Sequence, residues 1–469
     1  MAPPVPAASG TVLREVLRQP QWFLGLLILT AIENSLLTGT FWESVPASFK
    51  LAGSVYALCS AAAFAMAALL AKRSSAWTLM SSAYGRCAIG FAAGVALLAA
   101  ASVLPASVAT SAAVISAALM PLCYVPLVLS WVALLAKLPI ARTFACFSLA
   151  YAGGCVVSLV IVLLDPHWLV ELIMAVAALA TVPLFGSRLT GVPEEESRPV
   201  VARGSFPLRP VVICGVVAFV TTFLQNCNTV GDVPLSIFAG AALTIVILGV
   251  FILRSRTDLM GLQQVSLVLA VAACLSIPFA GTAVGNLGMA LSMTANLLFL
   301  VFAETVLCGI SLRYGFNAPW LIGVSLSVMA ATSFVAVGTC ELFRAAAPAF
   351  EESTLIAAIM AVAVLALFLR FVTEADVLGS WGMRETAPTG ETGLADLRLQ
   401  TRVFSLSCCY GFTKREEEVC ALLAQGHNVA AIEEILVVSN STAKSHVAHI
   451  YKKMGVHSIQ EFRAEFNRG

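Results

Sequence analysis

The chain has 469 residues, of which 59% are hydrophobic and only 11% charged. Water-soluble domains carry about a quarter charged residues, and disorder requires low hydrophobicity and high charge, so neither a single soluble body nor a mostly disordered chain fits. Lys+Arg 27 against Asp+Glu 26 leaves a net charge of +1, which by itself names no partner.

Residues 1–20 read as a cytoplasmic N-terminal segment. From Gln21 to Val372 the sequence is a string of apolar runs: 21–42, 51–71, 86–105, 108–135, 143–164, 167–186, 210–227, 233–253, 262–280, 284–307, 319–340 and 353–372. Each is near the roughly 20 residues that cross a hydrocarbon core of about 30 Å. Single runs of this length span as helices, because lipid offers backbone polar groups no partner. The pattern continues past the first run, so a cleavable signal peptide does not account for it. The expectation is an all-α chain: a polytopic twelve-helix bundle over 21–373 and a smaller helical unit after it. Trp22 and Trp42 lie about 30 Å apart along a helix, a separation that suits the two interfacial belts.

Charge placement supports the same count. With the N-terminus inside, the inner loops hold Arg14, Arg18, Lys72, Arg73, Arg86, Lys137, Arg142, Arg188, Arg198, Arg203, Arg209, Arg254, Arg256 and Arg313. The outer loops hold Lys50 and Arg344. Cations concentrate on the cytoplasmic side of spans, so both termini are expected there.

The longest internal loop, 187–209, carries Gly191, Pro193, Glu194, Glu195, Glu196, Pro199 and Pro207. It divides the spans into halves at 21–186 and 210–373. This six-plus-six layout resembles the major facilitator superfamily of transporters. Where that family has a Gly-rich loop with acidic and basic residues after its second helix, this chain reads Ala71-Lys72-Arg73-Ser74-Ser75-Ala76-Trp77, keeping only the basic ones. Polar groups inside spans mark ligand contacts or internal pairs. The candidates are Glu33 and Asn34 in the first span, Gln225 and Asn226 at the end of the seventh, and Glu304 in the tenth.

The 13 cysteines are scattered without a CxxC pair and read as small buried hydrophobes. No metal site, cofactor or catalytic set is expected, and the chain is not read as an enzyme.

Composition changes after Thr373. Residues 374–410 read as a cytoplasmic linker, flexible through glycine and proline up to Gln400. From Gly411 a compact helical unit begins. Thr413 and Glu416 form a capping box, Val419, Leu422 and Leu423 follow at helical spacing, and Gly426 ends the helix. A second helix spans about 429–436, a third about 441–454 and a fourth about 458–466. On the third, Ala443, Val447, Ile450 and Met454 fall on one face, spaced four, three, four. The opposite face presents Ser441, Lys444, Ser445, Ala448, His449 and Lys452, a small and cationic surface that can enter a DNA major groove.

The stretch from Phe412 to Phe466 resembles the LuxR-type helix-turn-helix domain of bacterial regulators. The resemblance rests on Thr413, Arg415, Glu416, Glu418 and Val419, then Gly426, Ile432, Glu434 and Leu436, then Ser439, Thr442, Lys444, His446, Val447, Ile450, Tyr451, Lys453, Met454 and Gly455. It implies four helices, the third reading double-stranded promoter DNA and the fourth pairing in a homodimer. By that resemblance Lys444, Ser445 and Ala448 contact bases, and Thr442 and Lys453 contact the backbone. The chain departs from the family at Val429-Ala430-Ala431 and at Glu433. Together these readings predict a regulator in the bacterial inner membrane whose bundle receives a small molecule or a membrane signal. The competing expectation is a secondary transporter with a DNA-binding tail.

Overall fold

The computed structural model describes residues 8–37, 49–72, 83–101, 103–162, 167–189, 207–228, 233–253, 258–314, 316–346, 359–363, 399, 402–403, 406–407, 410–436 and 438–466. Among the described residues all regular structure is helical. The membrane region comprises α1 (Ala8–Arg18), α2 (Leu24–Leu37), α3 (Phe49–Ala71), α4 (Tyr84–Ala101), α5 (Ala106–Leu135) and α6 (Ile140–Val162). It continues with α7 (His167–Leu189), α8 (Leu208–Asn228), α9 (Val233–Leu253), α10 (Leu259–Leu275), α11 (Ala283–Tyr314) and α12 (Ala318–Ala346).

Helices α2 to α12 occupy the first eleven predicted spans. Nine of the described helices are long and apolar enough to cross a membrane, and two shorter apolar helices, Leu24–Asn34 and Leu259–Leu275, accompany them. Only 359–363 of the twelfth predicted span is described, and it is helical. Most of the 187–209 loop, the 374–398 stretch and Trp42 lie outside the described residues. Large apolar side chains such as Leu58, Leu69, Ile89, Val160, Val246 and Val268 point outward, as lipid-facing residues do. The chain is a multi-pass membrane protein.

Several boundaries differ from the hydropathy reading. Helix α10 stops at Leu275, because Pro278 cannot extend the ladder and the chain passes into a 3-10 turn at Ile277–Phe279. Helix α11 continues through Arg313 to Tyr314, where hydropathy has already fallen. Asn317 then starts α12 by accepting from the Trp320 amide at 3.3 Å, while its Nδ2 donates to Ala71 O at 2.8 Å. The N-terminal segment contains α1, an amphipathic helix that buries Val16, packs Val12 on the membrane core and pairs Glu15 with Arg142 at the start of α6.

Within the first half, α2 packs on α6 and α4 on α5 and α7; within the second, α8 packs on α12, and α11 on α8, α9 and α10. The halves meet along two seams, α3 against α12 and α6 against α9 and α11. Without a hydrophobic drive between helices in lipid, small residues allow the close approach. A Cβ on Gly154 of α6 would sit 2.4 Å from Thr30 Oγ1 of α2, and one on Gly323 of α12 3.0 Å from Ala68 Cβ of α3. Thr30 Oγ1 donates across the α2–α6 contact to Ala150 O at 3.0 Å, and Ser327 across the α3–α12 seam to Ala61 O at 2.9 Å.

Gly154→Ala should therefore lower thermal stability in detergent, by about 1–3 kcal/mol if it behaves as core overpacking does. Gly186→Ala, whose Cβ would meet nothing within 4 Å, is the matched control. Equal melting temperatures for the two variants would refute the packing role of Gly154.

Candidate nucleic-acid interface and buried polar cluster

The C-terminal unit has its own core. Helices α13 (Lys414–Ala424), α14 (Val429–Leu436), α15 (Asn440–Met454) and α16 (Ile459–Phe466) enclose Phe412, Val419, Ile432, Ala443, Ile450 and Phe462, all almost wholly buried. Local sequence sets each end. The capping box at Thr413 is complete: its amide donates to Glu416 Oε2 at 2.7 Å, and its Oγ1 accepts from the Glu416 amide at 3.3 Å. Ser439 caps α15 by accepting from the Thr442 amide at 3.2 Å, and Gly455 ends it in the left-handed conformation at φ 70°, which glycine adopts without a Cβ penalty.

Helix α15 divides as its spacing predicts. Ala443, Val447, Ile450 and Met454 are buried, while Thr442, Lys444, Ser445, Ala448, His449 and Lys452 are exposed. Lys453 is different. Its Nζ donates to Glu416 Oε2 at 2.5 Å and to Gly411 O at 2.9 Å. It fastens the end of α15 to the start of α13, and Lys452 is left as the outward cation there. Burial raises the Glu416 pKa, but the Lys453 hydrogen bond, the Thr413 amide and the Lys453 charge outweigh it, and the net direction is down. Arg415 is also engaged internally, with Glu418 at 2.6 Å and Leu436 O at 2.8 Å. Burial, reinforced by Glu417, pushes the Cys420 thiol up to about 12, so it is a packing residue and not a reactive one.

The unit also begins earlier than the sequence suggests. Residues 402, 403, 406, 407 and 410 are helical, and Val403, Leu406 and Tyr410 are buried in the same core. Arg402 donates from Nε to Phe466 O at 2.6 Å and from Nη2 to Glu465 O at 3.0 Å, satisfying carbonyls at the end of α16. Tyr410 donates to Glu465 Oε1 at 2.9 Å, and Ser407 bonds Glu417. The 374–410 linker is thus shorter than predicted. Leu399, Val403, Leu406 and Tyr410 recur four, three and four residues apart, the signal that could have revealed it.

In the membrane region the structure brings two of the predicted polar residues together. Glu33 Oε2 lies 3.1 Å from the Tyr124 hydroxyl of α5, which is also 2.9 Å from Leu29 O. Glu304 Oε1 accepts from the Tyr151 hydroxyl of α6 at 3.1 Å. The two carboxyls are close enough for their charges to interact, and Tyr56 of α3 is within the same reach of Glu33. Glu304 is buried, whereas Glu33 and Asn34 are partly exposed. Gln225 and Asn226 lie on α8, where Asn226 bonds Thr222 O of its own helix at 2.8 Å. One α8–α11 hydrogen bond nearby is Thr221 to Asn296 Oδ1 at 3.1 Å. Tyr124 and Tyr151 were missed, because a tyrosine in an apolar run looks like core until its hydroxyl finds a partner.

The profile of the bacterial regulatory proteins of the luxR family matches residues 411–463. Residues 411–463 are a LuxR-type helix-turn-helix domain. The LuxR-type domain follows a membrane region with the major facilitator fold. Three solved structures are similar to it: the human organic anion transporter MFSD10 (TETRAN), the major facilitator superfamily transporter FucP in the outward conformation, and a bacterial homologue of the iron transporter ferroportin in an outward-facing state. They are 16%, 17% and 13% identical, with TM-scores of 0.53, 0.52 and 0.52. The alignments cover 76%, 76% and 75% of this chain and 99%, 99% and 98% of those chains. At these identities the likeness establishes the fold. No curated protein sequence matches the chain.

The Glu416–Lys453 bond gives the LuxR-type domain an acid limb. An unfolded glutamate protonates near 4.5 and the folded one lower, so the bond contributes fully above pH 4.5 and is lost as the pH falls through the folded value. Residues 399–469 should lose urea resistance below pH 4.5, and Glu416→Gln should flatten that limb; parallel limbs would remove Glu416 from the account.

Proposed function

We propose that the chain is a membrane-bound one-component transcription regulator. Its transporter-like region receives a small molecule or a membrane signal, and its LuxR-type domain binds promoter DNA. The observation that carries this reading is the exposed face of α15: Thr442, Lys444, Ser445, Ala448, His449 and Lys452 are exposed on a helix whose other face is locked into the core. Lys444, Ser445 and Ala448 read bases, and Thr442 and Lys452 hold phosphates. Lys453 acts mainly inside the domain. The geography follows from this use: the protein sits in the inner membrane, both termini cytoplasmic, as the loop charges favour. Binding as a homodimer compensates a domain whose lysines and arginines are partly spent on internal bonds, since phosphate neutralisation supplies much of DNA affinity. Helix α16 offers the outward residues Gln460, Glu461, Arg463 and Ala464 for that pairing.

The second reading, a working secondary transporter with a regulatory tail, draws on structural likeness to transporters over nearly their whole length. It requires substrate accumulation in vesicles carrying the protein, whereas a sensor binds without net movement.

The variants separate three roles on promoter fragments at fixed salt. Lys444→Ala should cost about 1–3 kcal/mol on the specific site and relax sequence preference there. Lys452→Ala should weaken all fragments alike and reduce the salt slope by about one. Lys453→Ala should first lower the melting temperature of the domain. Unchanged retardation and unchanged transcription with Lys444→Ala would reduce the domain to a protein adaptor.

A further inference from the structure

The Glu33–Glu304 cluster carries an imbalance that the fold does not resolve. In the described spans every lysine and arginine lies within about one turn of a helix end: Lys50 on α3, Arg86 on α4, Arg142 on α6, Arg188 on α7, Arg209 on α8, Arg313 on α11 and Arg344 on α12. Ion pairs among the described residues include Glu15–Arg142, Arg415–Glu418 and Glu416–Lys453, and none of these reaches the cluster. Glu304, 4% exposed, holds Tyr151 through Oε1, while its Oε2 is buried without a hydrogen-bond partner. Ser148, one turn before Tyr151 on α6, has an equally unpartnered buried hydroxyl. Buried polar atoms left this way cost free energy unless something completes them.

A positively charged group would complete Glu304 Oε2, and the surroundings favour an organic one. A hard inorganic divalent ion collects six to eight oxygens, several from carboxylates, and the described residues contain no group of three His, Cys, Asp or Glu suited to a metal. The carboxyls are instead accompanied by the rings of Tyr56, Tyr124 and Tyr151, with Phe91 5.8 Å from Tyr124 centroid to centroid. Carboxyls among aromatic side chains suit ammonium groups. We propose that Glu33 and Glu304, with Tyr56, Tyr124 and Tyr151, form a binding site for a lipophilic organic cation, a protonated amine or quaternary ammonium. Its position gives it leverage: Glu33, Tyr124 and Tyr151 belong to the first half and Glu304 to the second, so a cation competing for Glu304 alters the Tyr151–Glu304 bond across a seam. This names the ligand class for the sensing reading and rests on that reading only for its consequence.

The test uses the full chain in nanodiscs with radiolabelled tetraphenylphosphonium as probe and tetraphenylborate, an anion of nearly the same shape, as control. The cation should bind saturably and the anion should not. Glu33→Gln and Glu304→Gln should each weaken binding by about tenfold or more, and Val246→Ala, at an outward-facing side chain, should leave it unchanged. Equal binding of the two ions to the unaltered protein, displacement by sodium but not by potassium at matched ionic strength, or undiminished binding in the folded double Gln variant would each overturn the organic-cation site. The ion comparison needs no variant, so misfolding cannot mask the answer. Cation binding with no response of a promoter reporter would support the site and count against sensing.

Discussion

Hydrocarbon offers no hydrogen bonds, and most of this molecule is arranged around that fact. It forces the spans into helices, and it makes glycine and alanine the contact residues, since close approach is the main attraction left between them. Gly154 against Thr30 and Gly323 against Ala68 are the clearest cases. The same condition explains why so many hydroxyls in the bundle point back to carbonyls. Thr30, Thr221, Thr294 and Ser325 each bond a carbonyl three or four residues back on their own helix. Against this economy a carboxylate with an unpartnered oxygen stands out, and a small molecule can supply what the helices do not.

The bundle was legible in the sequence to the extent that hydropathy and charge encode it. Runs near 20 residues and cations gathered at alternate loops depend only on one-dimensional properties, so eleven helices fall where expected. Helix ends were less legible: α11 runs on through Arg313 because a helix leaving the membrane needs no apolar side chains, and α10 stops short because Pro278 decides there. Residue juxtaposition was not legible. Glu33 and Glu304 are 271 positions apart in the chain, and only tertiary packing gives each a tyrosine partner, Tyr124 and Tyr151, while Asn226 bonds within its own helix.

In the LuxR-type domain the outcome was similar for a different reason. Periodicity fixes which face of α15 is buried, and capping chemistry fixes where helices start. Neither says which way a long flexible cation bends. Lys453 lies beside Lys452 in sequence, yet the buried Glu416 carboxylate draws it inward. Residues 402–410 were hidden because the glycine- and proline-rich stretch before them dominates the local composition. Their apolar spacing is as regular as that of α15.

These residues bear on how a signal could travel. The chain enters the LuxR-type domain through a helical segment whose first described contact, Arg402, holds the final carbonyls of α16. The same segment reaches α13 through Ser407 and Glu417, and α16 again through Tyr410 and Glu465. Tension or release at residue 402 therefore acts directly on the last helix, the element that pairs in the family the domain resembles. It acts only indirectly on α15, which the Glu416–Lys453 bond ties to α13. A membrane region that shifts its two halves need not reshape the reading helix to control it. Under the proposed function it would need only to change how the segment around Arg402 is held, and thereby how readily two domains associate on one promoter. Such coupling is limited by the difference in ligand affinity between the two states of the membrane region. A site made of groups from both halves is the kind of place where that difference can arise.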